Sequence, residues 1–145
     1  MGAAEFRTNF ESGDIDAVMA DLAPDFAMYH PGYAEPSDNP EWVKVAFRLM
    51  REVFGEAFHF DRHLREDCYS MLHWTTTLPD GTWAEGVDVI TEDPNRQLRE
   101  LRVLVRPTHA FAIITKEMGQ RMGAWQAEGG HQLPGAEQRR DASAS

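Results

Sequence analysis

Three side chains carry most of the chemistry that this sequence can offer: His30, Asp88 and His73. In the run Trp83 to Thr91, alternation puts Asp88 on one face with Ala84, Gly86 and Ile90, and Trp83, Glu85, Val87 and Val89 on the other. Both faces hold apolar residues, so this strand is expected to be buried on both sides. A carboxylate among Ala, Gly and Ile is costly to keep charged unless it is paired, so its pKa should rise and make it a proton donor near neutral pH. The plainer alternative is an Asp bonded to turn amides or to a buried hydroxyl. His30 closes a short extended run from Phe26 and precedes Pro31, which restricts the backbone before it. An imidazole titrating near pH 6.5 is a natural base for a proton beside a carbonyl. The plainer alternative is a loop His beside Tyr29 and Tyr33. His73 alternates with Met71, Thr75 and Thr77. Parity counted back from the Gly81 hairpin places it on the face of Asp88, where each would shift the other's pKa. Alone, a strand His is more often a satisfied core or interface residue. Two histidines and a carboxylate also spell a metal triad in composition. None of the three sits in a local HxD or HxxxH pattern, so no metal is expected.

Other polar features point outward. His59, Asp61 and His63 alternate with Phe58, Phe60 and Leu64, and read as a solvated or dimer-facing edge. Arg102 and Arg106 alternate with Leu101, Val103 and Val105, so they are expected on the outer face, with Glu85 as a partner. Trp74 and Trp83, across one hairpin, are expected together on that outer face as dimer packing. Cys68, the single cysteine, follows the acidic pair Glu66-Asp67, so neither a disulfide framework nor a reactive thiolate is expected.

The elements that must position these residues follow from periodicity and punctuation. Phe6 and Phe10 mark a first helix that ends at Ser12-Gly13. Asp14 caps a second helix with Ile15, Val18, Met19 and Leu22, which Pro24 closes. Asn39-Pro40 opens a longer helix with the stripe Val43, Phe47, Met50 and Phe54, and Gly55 stops it. The period then changes to two. Strands are expected over 58–64, from Cys68 to Leu78, from Trp83 to Thr91, and from Leu98 to Val105, with turns at Glu66-Asp67, Pro79-Asp80-Gly81 and Asp93 to Arg96. A last helix follows Pro107-Thr108 with Phe111, Ile114, Met118 and Met122 on one face. Early helices followed by a run of antiparallel strands give an α+β class, with helices on one face of a curved sheet.

Bulk properties bound the function. The 145 residues suit one domain, with 42% hydrophobic residues. A net charge of −10, from 14 basic and 24 acidic residues, with no basic stripe, argues against nucleic acid as a partner. No apolar run approaches a membrane span and no export signal opens the chain, so a soluble, cytoplasmic protein is expected. Residues 126–145 are poor in large aliphatics and are expected to form a flexible tail after a domain over 1–125.

The element order, the Gly13-Asp14-Ile15-Asp16 start of the second helix and the stretch Val87 to Pro107 (VDVITEDPNRQLRELRVLVRP) together resemble the nuclear transport factor 2-like superfamily. The nearest groups are the SnoaL-like polyketide cyclases and the ketosteroid isomerases. The resemblance spans residues 4–122 and implies a cone: a strongly bent sheet wrapped around helices, with an internal apolar pocket and homodimers through the outer sheet face. His30-Pro31 matches the Asp-Pro that ends the first strand of ketosteroid isomerases and supplies their base. Asp88 matches their protonated oxyanion donor, whereas their helix-1 Tyr falls on Phe6. Epoxide hydrolases of the superfamily place an acid after the last-strand Arg, where Val103 follows Arg102 here; that chemistry would need Asp61 as a second carboxylate. The resemblance therefore implies a cofactor-independent isomerase, dehydratase or cyclase acting on an apolar carbonyl compound, such as a polyketide or terpenoid. His30, Asp88 and His73 would be its catalytic residues. Tyr29, Tyr33, Phe47, Met50, Phe54, Phe60, Met71, Val103 and Val105 would line its pocket. The rival is a non-catalytic ligand-binding or dimerisation protein of the same fold.

Overall fold

A computed structural model describes residues 2–129. Helix α1 (Ala3–Ser12) ends at Gly13, whose φ of 84° is left-handed. Asp14 then accepts the amide of Ala17 and caps α2 (Ile15–Ala20). Pro40 opens α3 (Pro40–Phe54), with Asn39 capping the amide of Trp42. The strands are β1 (Leu22–Tyr29), β2 (His59–Glu66), β3 (Tyr69–Thr77), β4 (Trp83–Glu92) and β5 (Leu98–Arg106), followed by α4 (Thr108–Ala127). Pro24 lies inside β1 rather than closing α2, and it is tolerated because β1 is an edge strand whose register shifts between Leu22 and Ala27. Gln126 and Ala127, expected to begin the tail, close α4, and residues 130–145 lie outside the described residues.

The strands form one curved, unclosed sheet in the order β1-β5-β4-β3-β2, parallel only between β1 and β5. Its inner face packs against the helices. Ala84, Gly86, Asp88, Ile90 and Glu92 of β4 point inward, as do Ser70, Leu72, Trp74 and Thr76 of β3. An aromatic cluster fills this interior: Phe6 stacks on Phe10 at 5.5 Å, Phe54 on Phe58 at 5.1 Å, and Phe54 meets Trp74 at 4.8 Å between ring centres.

Register decides three faces that the sequence reading placed otherwise. Thr77 pairs with Trp83, so the β3–β4 loop holds Leu78, Pro79, Asp80, Gly81 and Thr82, an odd number. His73 therefore pairs with Val87 and faces outward, while Asp88 pairs with Leu72 and faces inward. His73 does not share a face with Asp88. The same register buries Trp74 completely inside, whereas Trp83 stays outside at 47% exposure. In β2 the register shifts between Phe60 and Arg62, a bulge that reverses parity. His63 then pairs with Leu72 and turns inward, and Leu64 pairs with Met71 and turns outward, 67% exposed.

Candidate functional site

Asp88 sits mid-strand on the inner face, 4% exposed, beside Val103 of β5. Its Oδ1 accepts the indole N–H of Trp74 at 3.1 Å. Burial pushes its carboxyl up to about 7, and the Trp74 hydrogen bond opposes that rise in part. No charged neighbour contributes to the shift. The group is thus divided between its acid and its carboxylate near neutral pH, shielded from solvent and with no charged contributor among the described residues.

Trp74 is wedged in place. It lies directly across from Gly86, where a Cβ would fall 2.3 Å from its Cζ2 and 2.3 Å from the Leu104 carbonyl oxygen. Phe54 and Phe58 close its other side, at 4.8 Å and 5.3 Å. Sequence reasoning missed this arrangement. A glycine inside a strand was the available signal, because it marks a close approach by a neighbour.

His30 follows the last residue of β1, half-buried, with the Tyr33 ring 5.5 Å away. Its Nδ1 accepts the Gly32 amide at 2.9 Å, so the neutral ring carries its proton on Nε2. His73 occupies a separate outer-face network. Its Nε2 meets Glu85 at 2.8 Å and its Nδ1 lies 3.6 Å from Asp61, while Arg106 pairs with the other Glu85 oxygen. These contacts, with His73 first, hold the Glu85 carboxyl below its usual range. His30, His73 and Asp88 are accordingly not assembled as a triad. Among the described residues no group of three or more His, Cys, Asp or Glu could hold a metal ion.

The expected pocket residues divide by face. Val103 and the half-buried Val105 share the inner face with Asp88. Phe47, Met50, Phe54 and Phe60 are buried in the core, and Phe47, Phe54 and Phe60 belong to its aromatic cluster. Tyr33 stays with His30 in the loop after β1. Met71 is 51% exposed on the outer face, and Tyr29 lies under the Arg102 guanidinium at 4.0 Å, opposite Arg102 in the β1–β5 register. Met71 and Tyr29 therefore face away from the interior, because strand parity sends them there. His63, turned inward by the bulge, bonds Ser70 at 3.1 Å and is held below its ordinary range by burial, then by Arg7 and Arg65. Strand spacing places it about 10 Å from Asp88, with Leu72 between them. A cavity of about 140 Å³ lies between α3, α4 and the β3–β4 hairpin, and a groove of about 230 Å³ opens on the outer face at His73 and Arg106. Neither has Asp88 or His30 in its wall.

Sequence comparison finds no matching family model and no matching curated protein. Solved structures do match. A steroid delta-isomerase from Pseudomonas aeruginosa is similar at a TM-score of 0.78 and 22% identity, over 86% of this chain and 90% of that one. An uncharacterised protein with a cystatin-like fold from Silicibacter pomeroyi gives 0.75 at 24% identity, over 81% and 82%. A nuclear transport factor 2-like protein of unknown function from Cytophaga hutchinsonii gives 0.58 at 14% identity, over 74% and 89%. This chain has the nuclear transport factor 2-like fold. Such a fold can host unrelated activities, so the nuclear transport factor 2-like architecture leaves any chemistry to be argued from the residues. No helix among the described residues is long and apolar enough to cross a membrane.

Proposed function

We propose that this protein is a cofactor-independent enzyme that moves a proton on a neutral, apolar carbonyl compound, as an isomerase, dehydratase or cyclase. The observation that carries this reading is Asp88: buried, titrating near neutrality, and bonded only to Trp74 among the described residues. A buried neutral acid can donate to a carbonyl oxygen as negative charge develops there, which stabilises an enolate without a metal. No charged group among the described residues contributes at Asp88, which suits a neutral ligand whose charge appears only during reaction. His30 is the proposed base. It removes the proton on the carbon next to the carbonyl while Asp88 hydrogen-bonds the developing oxyanion and keeps its own proton, and the imidazolium returns the proton at a conjugated carbon, as an isomerase would. One hydrogen and one double bond move, and nothing else changes. His30 must release the Gly32 amide from Nδ1 to take that proton there.

The Gly32 bond favours a second reading, with the roles exchanged: ionised Asp88 takes the proton and the Nε2–H of His30 donates. A pH profile separates the two. If Asp88 is the acid, kcat/KM falls as pH rises through about 7; if it is the base, kcat/KM falls as pH drops through about 7. The steroid delta-isomerase likeness suggests a β,γ-unsaturated ketosteroid as first substrate, followed by absorbance of the conjugated enone. Turnover should drop about 100-fold or more in Asp88→Asn, the usual scale for one oxyanion donor, and clearly in His30→Ala. Full activity in Asp88→Asn would overturn the assignment. Binding without turnover across a panel of enolisable ketones would leave the ligand-carrier reading in its place.

We also propose a homodimer through the outer sheet face. Leu64, Tyr69, Met71, Trp83 and Leu104 are each between 47% and 67% exposed there, which is unusual for large apolar side chains gathered on one face.

A further inference from the structure

We infer that Trp74 is a positioning residue: its indole N–H, held across Gly86, fixes which oxygen of Asp88 is left to meet a ligand. This rests on the proton-transfer reading for its purpose, although the geometry stands without it. A carboxylic acid has two exchangeable oxygens, and an unrestrained one can present either its hydroxyl or its carbonyl side. Here Oδ1 is the acceptor of the Trp74 N–H at 3.1 Å, so in the acid form the proton belongs on Oδ2. The indole cannot swing away to release it. Phe54 and Phe58 pack against it from within the core, and the absent side chain of Gly86 is the space that it fills. Trp74 is itself fully buried, so water does not compete for the N–H. Asp88 reaches it as the diagonal cross-strand neighbour, since Trp74 pairs with Gly86 two residues before. The result is a single, directed hydrogen-bond donor on a carboxyl shielded from solvent, suited to one oxygen with a lone pair rather than to a group that needs two donors.

The test reads the indole protons of the four tryptophans by nitrogen–proton NMR, which needs no substrate. In the wild type, the Trp74 indole signal should shift with pH and share one midpoint, near 7, with the Asp88 carboxyl carbon. That shift should vanish in Asp88→Asn. Trp74→Phe keeps an aromatic ring but removes the N–H, so the Asp88 midpoint should move upward, away from the wild-type value, because a bond that favours the carboxylate is gone. A purely structural Trp74 would lower the unfolding midpoint and leave the Asp88 titration where it was. Should Trp74→Phe fail to fold, the wild-type and Asp88→Asn spectra still decide. A Trp74 indole signal that is flat from about pH 5 to about pH 9 would overturn the inference. A coupled titration in a protein that turns over no ketone would leave the positioning intact and remove only the catalytic reading.

Discussion

A carboxyl group that keeps its proton inside the fold changes the pH dependence of stability in a definite direction. Asp88 rises from 3.8 to about 7, so between those values the folded chain holds a proton that the unfolded chain has lost. Stability is therefore full below about 4 and falls as pH rises through about 7, with a total loss on the order of 4 kcal/mol at 1.36 kcal/mol per unit. Asn in its place cannot ionise and still offers Trp74 an acceptor oxygen. Asp88→Asn should thus flatten the urea-unfolding curve between pH 4 and 7 and exceed the wild type above that range. Parallel wild-type and mutant curves across this window would show that Asp88 is not buried as a neutral acid. Gly86 belongs to the same argument. Any Cβ there meets the indole and the Leu104 backbone, so Gly86→Ala should cost about 1–3 kcal/mol by overpacking. It should also weaken the tie between Trp74 and Asp88, seen as a changed Trp74 indole signal.

Among the elements, α1 depends on distant side chains for its first turn. Gly2 donates its amide to Asp21 Oδ2 at 2.8 Å, and Ala3 donates to Glu92 Oε1 at 3.1 Å, so two carboxylates cap the positive end of the helix. Glu92 is also bonded by Arg65 at 3.1 Å. Glu92→Ala should lower stability by about 2–3 kcal/mol, the scale for hydrogen bonds to a charged group, measurable as a lower urea midpoint. An unchanged midpoint would mean that the Glu92 cap adds nothing to what the Asp21 bond and the Phe6 and Phe10 contacts already hold. Nothing near Gly2 in the chain foretells this cap, since Glu92 is far away in sequence. The elements themselves were legible because each boundary carries its own chemistry: Gly13, Asp14, Pro40, Gly55 and Pro107 act locally, whatever the tertiary fold. The side that each strand presents was less legible. One loop of odd length sends His73 outward, and one bulge after Phe60 turns His63 inward and Leu64 outward. Parity is a sum along the chain, so one unseen residue reverses everything beyond it. Asp88 escaped this error because its burial follows from its own strand's apolar neighbours rather than from a count across a turn.

For the whole molecule, the same alternation gives the sheet two faces of different character. Strand β4 turns Gly86 and Asp88 to the interior and Trp83, Glu85, Val87 and Val89 to the outside, while β3 turns Trp74 in and Met71 and His73 out. A stable dimer through the outer side must bury roughly 800 Å² on each copy. That side carries an apolar strip flanked by the His73, Glu85 and Arg106 network: Leu104 lies across from Val87, and Met71 lies across from both Leu64 and Val89. A carboxylate at 104 would sit in the apolar strip beside Val87 and would have to be desolvated on pairing, so Leu104→Glu should convert a dimer to a monomer in sedimentation equilibrium at micromolar concentration. A wild-type monomer at that concentration would count against the interface. Leu104 points away from Asp88, and the sheet's backbone stands between them. The same Leu104→Glu protein should therefore keep the wild-type Asp88 titration near 7 even as its sedimentation changes. If the titration moved with the dimer, the two faces would be coupled through β4, and Gly86, the residue in contact with both Trp74 and the Leu104 backbone, would be the point of coupling.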